Sequence, residues 1–125
     1  MDRRLAFAAA VAGFLAVALG AFGAHALGGK LSAEAQGWWE TATQYGLAHA
    51  VAAFAAALPA GARFHRAGWA FIIGAALFAG SLYAMALLST SGGIPRTLGM
   101  ATPLGGVCLL AGWALAAVAA LRDKD

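Results

Sequence analysis

Four stretches of this chain carry no Asp, Glu, Lys or Arg: residues 5–27, 41–58, 67–88 and 102–121, which run 23, 18, 22 and 20 residues. The hydrocarbon core of a bilayer is about 30 Å thick, and roughly 20 apolar helical residues cross it. Inside that core the backbone must satisfy its own polar groups, which a helix does along its length. The pattern predicts an all-α fold, an integral membrane four-helix bundle forming a single transmembrane domain over residues 1–125. Only 10% of the residues are charged, against about 25% in an average soluble domain. A chain of 125 residues with these four stretches has no room for a separate soluble domain.

The N-terminus imitates a signal peptide, with Arg3 and Arg4, an apolar run, and Ala24-His25-Ala26 in the place of a cleavage site. An apolar signal region is usually about 7–15 residues. This run is 23 residues and three more follow it, so a retained first span is expected. Asp2 and the scarcity of Arg argue against a mitochondrial presequence.

The net charge of +3 does not point to nucleic acid, because the basic residues lie at the termini and in short connections. Arg3, Arg4, Arg63, Arg66, Arg122 and Lys124 fall on one side of a four-span layout, and Lys30 and Arg96 on the other. Basic residues near span ends collect on the cytoplasmic side. Both termini are therefore expected there, in a multi-pass protein of a bacterial inner (plasma) membrane. The two outer connections, 28–40 and 89–101, are each 13 residues long and hold the pairs Gly28-Gly29 and Gly92-Gly93, a weak sign of two repeated hairpins.

Lipid tails are as apolar as Leu, so spans associate through close backbone approach. Gly13, Ala16, Gly20 and Gly23 fall on one face of the first span. Ala76, Gly80 and Ala84 do so on the third, and Gly105, Cys108, Gly112 and Ala116 on the fourth. Helix packing is the expected role of these glycines. Neither a phosphate-binding loop nor a dinucleotide fingerprint is present. Cys108 is the single cysteine, which rules out an internal disulfide and leaves it a packing role. Trp38, Trp39 and Trp69 stand at interfacial positions. Trp113 lies deeper, where its indole N–H needs an acceptor. Arg63-Phe64-His65-Arg66 follows Pro59 and Gly61 in a short inner turn, and Arg63 and Arg66 stand within reach of anionic headgroups.

The second span holds the chemically informative pattern. Thr41, Tyr45 and His49 recur every four residues and share a helical face. Polar side chains in apolar spans usually face the bundle interior or a wet cavity. His25, Ser81, Tyr83 and Thr102 stand toward the same outer side, which suggests a shallow polar pocket opening outward. Three explanations compete for it: interhelical hydrogen bonds with a neutral His49; a site for a lipid, a quinone-like molecule or a small polar solute; and proton or metal chemistry at the histidines. Haem ligation needs His25 and His49 at one height, yet helical rise puts them roughly 9 Å apart. A zinc site wants three or four ligands, and no second Cys or embedded carboxylate is present. No buried acid orients His49 as the base of a hydrolase triad with Ser81. No cofactor or metal is expected.

The motifs taken together resemble a known family. Gly20-Ala-Phe-Gly-Ala-His-Ala-Leu27, Trp39-Glu-Thr-Ala-Thr-Gln-Tyr45 and Leu47-Ala-His49 are similar to the first half of the YgdD (DUF423-like) family. Phe78-Ala-Gly-Ser-Leu-Tyr83, Leu98-Gly-Met-Ala-Thr-Pro-Leu-Gly-Gly106 and Gly112-Trp113 are similar to its second half. The resemblance implies four spans and an inner-membrane location, and supplies no reaction. His25, Trp39, Tyr45, His49, Tyr83, Thr102, Pro103, Gly105 and Gly106 match its pattern. Pro103 is expected at the opening of the fourth span, where a missing N–H is tolerated, with Thr102 as its cap.

The leading expectation is a non-enzymatic accessory or scaffold bundle. Its partners would be membrane lipids, further copies of itself or a larger membrane-protein complex, and not nucleic acid. The rival is a small-molecule, lipid or quinone binder or transporter using the outward pocket, although one small bundle without buried charge leaves little for alternating access. An enzyme ranks third.

Overall fold

The computed structural model describes residues 1–122. Lys124, one of the basic residues used to orient the chain, lies outside the described residues. The elements are α1 (Arg3–His25), α2 (Ala33–Ala57), α3 (His65–Leu88), a 3-10 turn (Ser89–Ser91) and α4 (Arg96–Leu121). No strand occurs among the described residues. Among the described residues three helices are long and apolar enough to cross a membrane: α1, α3 with its 3-10 extension, and α4. The second helix, α2, has 25 residues but falls short of that apolarity. It carries Gln36, Glu40, Thr43, Gln44 and His49, and lies between α1 and α3, packed against both.

The helices begin earlier than the charge-free runs suggest. Asp2 starts α1, its Oδ1 accepting from the Arg4 and Leu5 amides at 3.1 and 3.0 Å. Ser32 caps α2 by accepting from the Ala35 amide at 3.1 Å, so the helix runs through Glu34 and Glu40 before it reaches Thr41. Pro95 precedes α4, which starts at Arg96 rather than Thr102. The reason is physical: lipid decides where charges are tolerated, whereas caps and prolines decide where a helix starts. Two expectations change. The outer connections shorten to residues 26–32 and 89–95, turned by Gly29 and Gly92 at φ 77° and 93°. Pro103 lies inside α4, where it withholds an amide from the Gly99 carbonyl, and Thr102 is not a cap.

Each helix packs on its sequence neighbour, α3 also touches α1, and any contact between α1 and α4 among the described residues is marginal. The bundle is therefore open along one edge. Its core is largely alanine, with Leu5, Phe71 and Leu109 in the cluster nearer the termini and Trp39 in the cluster at the other end. Glycines set the closest approaches. A Cβ on Gly105 would collide with the Phe78 backbone, and one on Gly112 would lie 2.7 Å from the Phe71 ring. A Cβ on Gly23 would fall within the Trp39 indole, whereas Gly20 meets the Thr43 methyl and Gly13 only touches Ala50, at 3.8 Å. Gly80 has no neighbour within the described bundle: nothing lies within 4 Å of a Cβ built there.

The end of the bundle that carries both termini is tied by polar contacts. The Asp2 amide donates to the Ala57 carbonyl at the end of α2, at 2.9 Å, and the Asp2 carboxylate stands 3.5 Å from His65 Nδ1 at the start of α3. The Leu5 amide first, and His65 after it, hold the Asp2 carboxyl below the usual aspartate range. Arg63 closes the C-terminus of α4, its Nε donating to the Ala119 carbonyl and its Nη2 to that of Ala120 at 2.8 Å.

Candidate functional site

On α2, the two ring nitrogens of His49 have different partners. Nδ1 lies 2.7 Å from the Tyr45 carbonyl oxygen. A carbonyl only accepts, so Nδ1 carries the hydrogen. Nε2 then accepts from the Trp113 indole N–H at 3.0 Å, which ties α2 to α4 across the front of α3. The imidazole is neutral and its tautomer follows from the network. Phe71 packs between these rings, its centroid 5.5 Å from His49 and 4.8 Å from Trp113. Tyr45 lies nearly parallel to His49 at 5.9 Å and tilts against Phe78 at 4.8 Å. His49 is 7% exposed, whereas Tyr45 and Trp113 are 45% and 52% exposed, so the aromatic cluster forms one wall of the bundle with His49 on its inner side.

A second polar group lies on the other side of α2, toward α1. Tyr83 and Thr43 share a hydrogen bond of 2.7 Å. Trp39 meets the Tyr83 ring edge-on at 4.6 Å and donates its indole N–H to the Leu19 carbonyl at 2.8 Å. A third lies in the seam between α3 and α4. Ser81 donates to the Phe78 carbonyl at 2.9 Å, and its oxygen is 2.6 Å from Thr102 Oγ1. With the Ser81 proton so directed, Thr102 is the donor of that pair.

The seven residues of the expected outward pocket are thus divided. His49 and Tyr45 belong to the first group, Tyr83 to the second, Ser81 and Thr102 to the third. His25 ends α1 exposed, and Thr41 is half-buried outside all three groups. Helical geometry explains the division: successive residues turn by about 100°, so positions 43 and 45 point to opposite sides of α2. Of the seven, only Tyr83 borders one of the grooves described in this bundle, an apolar channel of about 260 Å³ between α1 and α3. Among the described residues no group of three or more His, Cys, Asp or Glu could hold a metal ion.

Sequence reasoning missed Thr43 as a polar partner, and flagged the Trp113 indole as needing an acceptor without naming His49. For Trp113 a signal was present: a mid-span indole needs an acceptor, and His49 stands at the same depth. Thr43 gave none, since its importance depends on which side of α2 faces α1.

A family model described as a protein of unknown function, DUF423, matches residues 19–106. The chain belongs to the DUF423 family. All seven pocket candidates fall inside the matched stretch, and Trp113 falls outside it. Among DUF423 relatives, the chain is 41% identical over 120 residues to the UPF0382 inner membrane protein YgdD of Escherichia coli strain K12, covering 93% of this chain and 88% of the relative. It is 39% identical over 118 residues to the UPF0382 membrane protein YwdK of Bacillus subtilis strain 168, covering 90% and 92%. The UPF0382 membrane protein SERP0230 of Staphylococcus epidermidis is 40% identical over 111 residues, covering 86% and 87%. No solved structure matches the chain. With three membrane-capable helices and a relative named as an inner membrane protein, this DUF423 chain is a multi-pass protein of the bacterial inner membrane.

Proposed function

We propose that this protein is a non-enzymatic accessory bundle, which packs against other membrane proteins or against copies of itself. The observation that carries the reading is the use of polar side chains at depth. Tyr83 bonds Thr43, Ser81 bonds Thr102, and Trp113 bonds His49, so each pair joins two helices and none converges on a shared cavity. Such bonds fix the relative rotation of helices that lipid alone would not orient. Both His49 nitrogens are occupied, which removes it as a general base in this conformation. The lipid-facing sides of α1 and α4, with Phe7, Phe14, Val107 and Leu110, offer the contact area.

Both termini face the cytoplasm in this reading. Arg3, Arg4, Arg63, Arg66 and Arg122 gather at the end of the bundle tied by Asp2, and Lys30 and Arg96 stand at the other, as the positive-inside rule requires. The deciding experiment is native mass spectrometry of gently solubilised protein. A stable homo-oligomer or a complex with a larger membrane protein is expected. A strictly monomeric protein with no partner sinks the proposal.

One observation favours the rival binding role. Tyr45 is half-exposed beside His49 and makes no hydrogen bond through its hydroxyl among the described residues. A stoichiometric small molecule that co-purifies with the wild type, and is lost in Tyr45→Phe with helix content intact, would move the assignment to a binder.

A further inference from the structure

At the end of the bundle that carries the termini, the turn before α3, the start of α3 and the end of α4 line a groove of about 390 Å³ whose lining is part basic and part apolar. Arg63, Arg66 and Arg122 supply the basic part; Leu115 and Val118 supply the apolar part. Arg63 is already fixed. Its Nε and Nη2 close the end of α4 at the Ala119 and Ala120 carbonyls, and its guanidinium lies 5.4 Å from the centroid of the Phe64 ring. Among the described residues that leaves Nη1 with two N–H donors free, in a guanidinium whose orientation is set before any ligand arrives. Arg66 and Arg122 are exposed on either side. Neither forms an ion pair among the described residues, where Asp2 is the one acid at this end and is engaged with His65. Asp123, Lys124 and Asp125 follow Arg122 in the sequence and lie outside the described residues.

The geometry points to a binding site for the headgroup of an anionic phospholipid, its phosphate held by Arg63, Arg66 and Arg122 and its acyl chain lying on Leu115 and Val118. Three guanidinium groups around one groove repel one another, and a phosphodiester relieves that repulsion while accepting paired N–H donors. Basic recesses between spanning helices at the membrane surface suit this ligand. The apolar half selects a lipid over a free anion. Leu115 and Val118 are 41% and 51% exposed and continue the lipid-facing side of α4, so a headgroup in the groove has its chain beside them. The inference needs only the membrane-spanning fold, and stands whether or not the accessory role does.

The test uses the full-length protein, purified in detergent and offered equal amounts of phosphatidylglycerol and phosphatidylcholine, with retained lipid counted by native mass spectrometry. The wild type is expected to keep one phosphatidylglycerol in preference to phosphatidylcholine. Arg66→Gln with Arg122→Gln should cut that preference by roughly five-fold per arginine, and the Arg→Lys pair should keep most of it. Arg63 is left in place because it closes α4. If the glutamine pair fails to fold, judged by circular dichroism, Arg66→Gln alone should show a single five-fold step. Equal retention of the two lipids by the wild type, or an unchanged preference in folded glutamine variants, overturns the proposal. Displacement of the bound lipid by excess inorganic phosphate also overturns it, since the groove would then be a free-anion site.

Discussion

Ala76, Gly80 and Ala84 on α3, and Gly105, Cys108, Gly112 and Ala116 on α4, look alike in the sequence, each a row of small residues at helical spacing. In the fold they part. Gly105 and Gly112 are buried, the first against the Phe78 backbone and the second against the Phe71 ring. Gly74 answers from α3, lying under Leu109. Ala76 and Gly80 are exposed and border the channel that α1 leaves open. A smooth face permits close approach, but it is filled only where the opposing helix has a bulky group or its own backbone at the matching height. The α3–α4 seam has both, in Phe71, Phe78 and Leu109. Across the channel α1 presents Leu15 and Leu19 as walls, and neither comes within 4 Å of a Cβ at Gly80.

Gly105→Leu should break this comparison most forcefully. The added side chain meets backbone, which cannot rotate away, so α3 and α4 must separate, and the Ser81–Thr102 bond parts with them. Overpacking of this kind costs about 3 kcal/mol or more. Gly112→Leu should cost less, because the Phe71 ring can yield. Unfolding in mixed micelles, followed by circular dichroism, measures both. Equal costs at the two sites would mean that backbone proximity is not what closes the seam.

The His49–Trp113 bond is the next test, since it crosses from α2 to α4 without help from small residues. Trp113→Phe and His49→Ala should each destabilise by about 1 kcal/mol. Their coupling in a double-mutant cycle should be roughly 0.6–1.7 kcal/mol, the range of interhelical bonds in a membrane. Zero coupling would reduce the pair to ring packing around Phe71.

A pH titration separates the tie at Asp2 from the seam. The Asp2 carboxyl is held below the usual aspartate value, chiefly by the Leu5 amide. Its stabilising contribution is complete above the unfolded aspartate pKa of about 3.9 and is lost as pH falls through the lower folded value. Asp2→Asn should remove that acid dependence and leave the α3–α4 contacts intact. An unaltered acid transition in Asp2→Asn would assign the dependence to another group.

How much of this was legible in the sequence follows from the same contrast. Absence of charge located α1, α3 and α4, because crossing lipid is a property of the residues themselves. It mislaid the starts of α2 and α4, where Ser32 and Pro95 decide and charged residues are tolerated inside the helix. Thr41, Tyr45 and His49 were readable as polar residues spaced along one helix, and that helix is α2. Their grouping with Tyr83, Ser81 and Thr102 was not readable, because it depends on the rotation of α2 between α1 and α3. Depth along a helix is written in residue number; azimuth relative to a neighbour is written in the packing of both.

The smallest expected effect is the most discriminating. A Cβ at Gly80 would meet nothing within 4 Å. Gly80→Leu should therefore leave the stability of the isolated bundle within about 0.5 kcal/mol of wild type, as for other substitutions that meet no packed neighbour. The added leucine would enter the channel between α1 and α3, and the Thr43–Tyr83 bond and the aromatic cluster around His49 should be undisturbed. Measured beside Gly105→Leu in the same micelles, it isolates the effect of a packed backbone from that of a small-residue row. A large loss in the monomer would mean that α1 closes on α3 in the membrane more tightly than here. Unchanged monomer stability with a lost oligomer would instead show that a second chain covers this face, and would give the accessory role its contact surface.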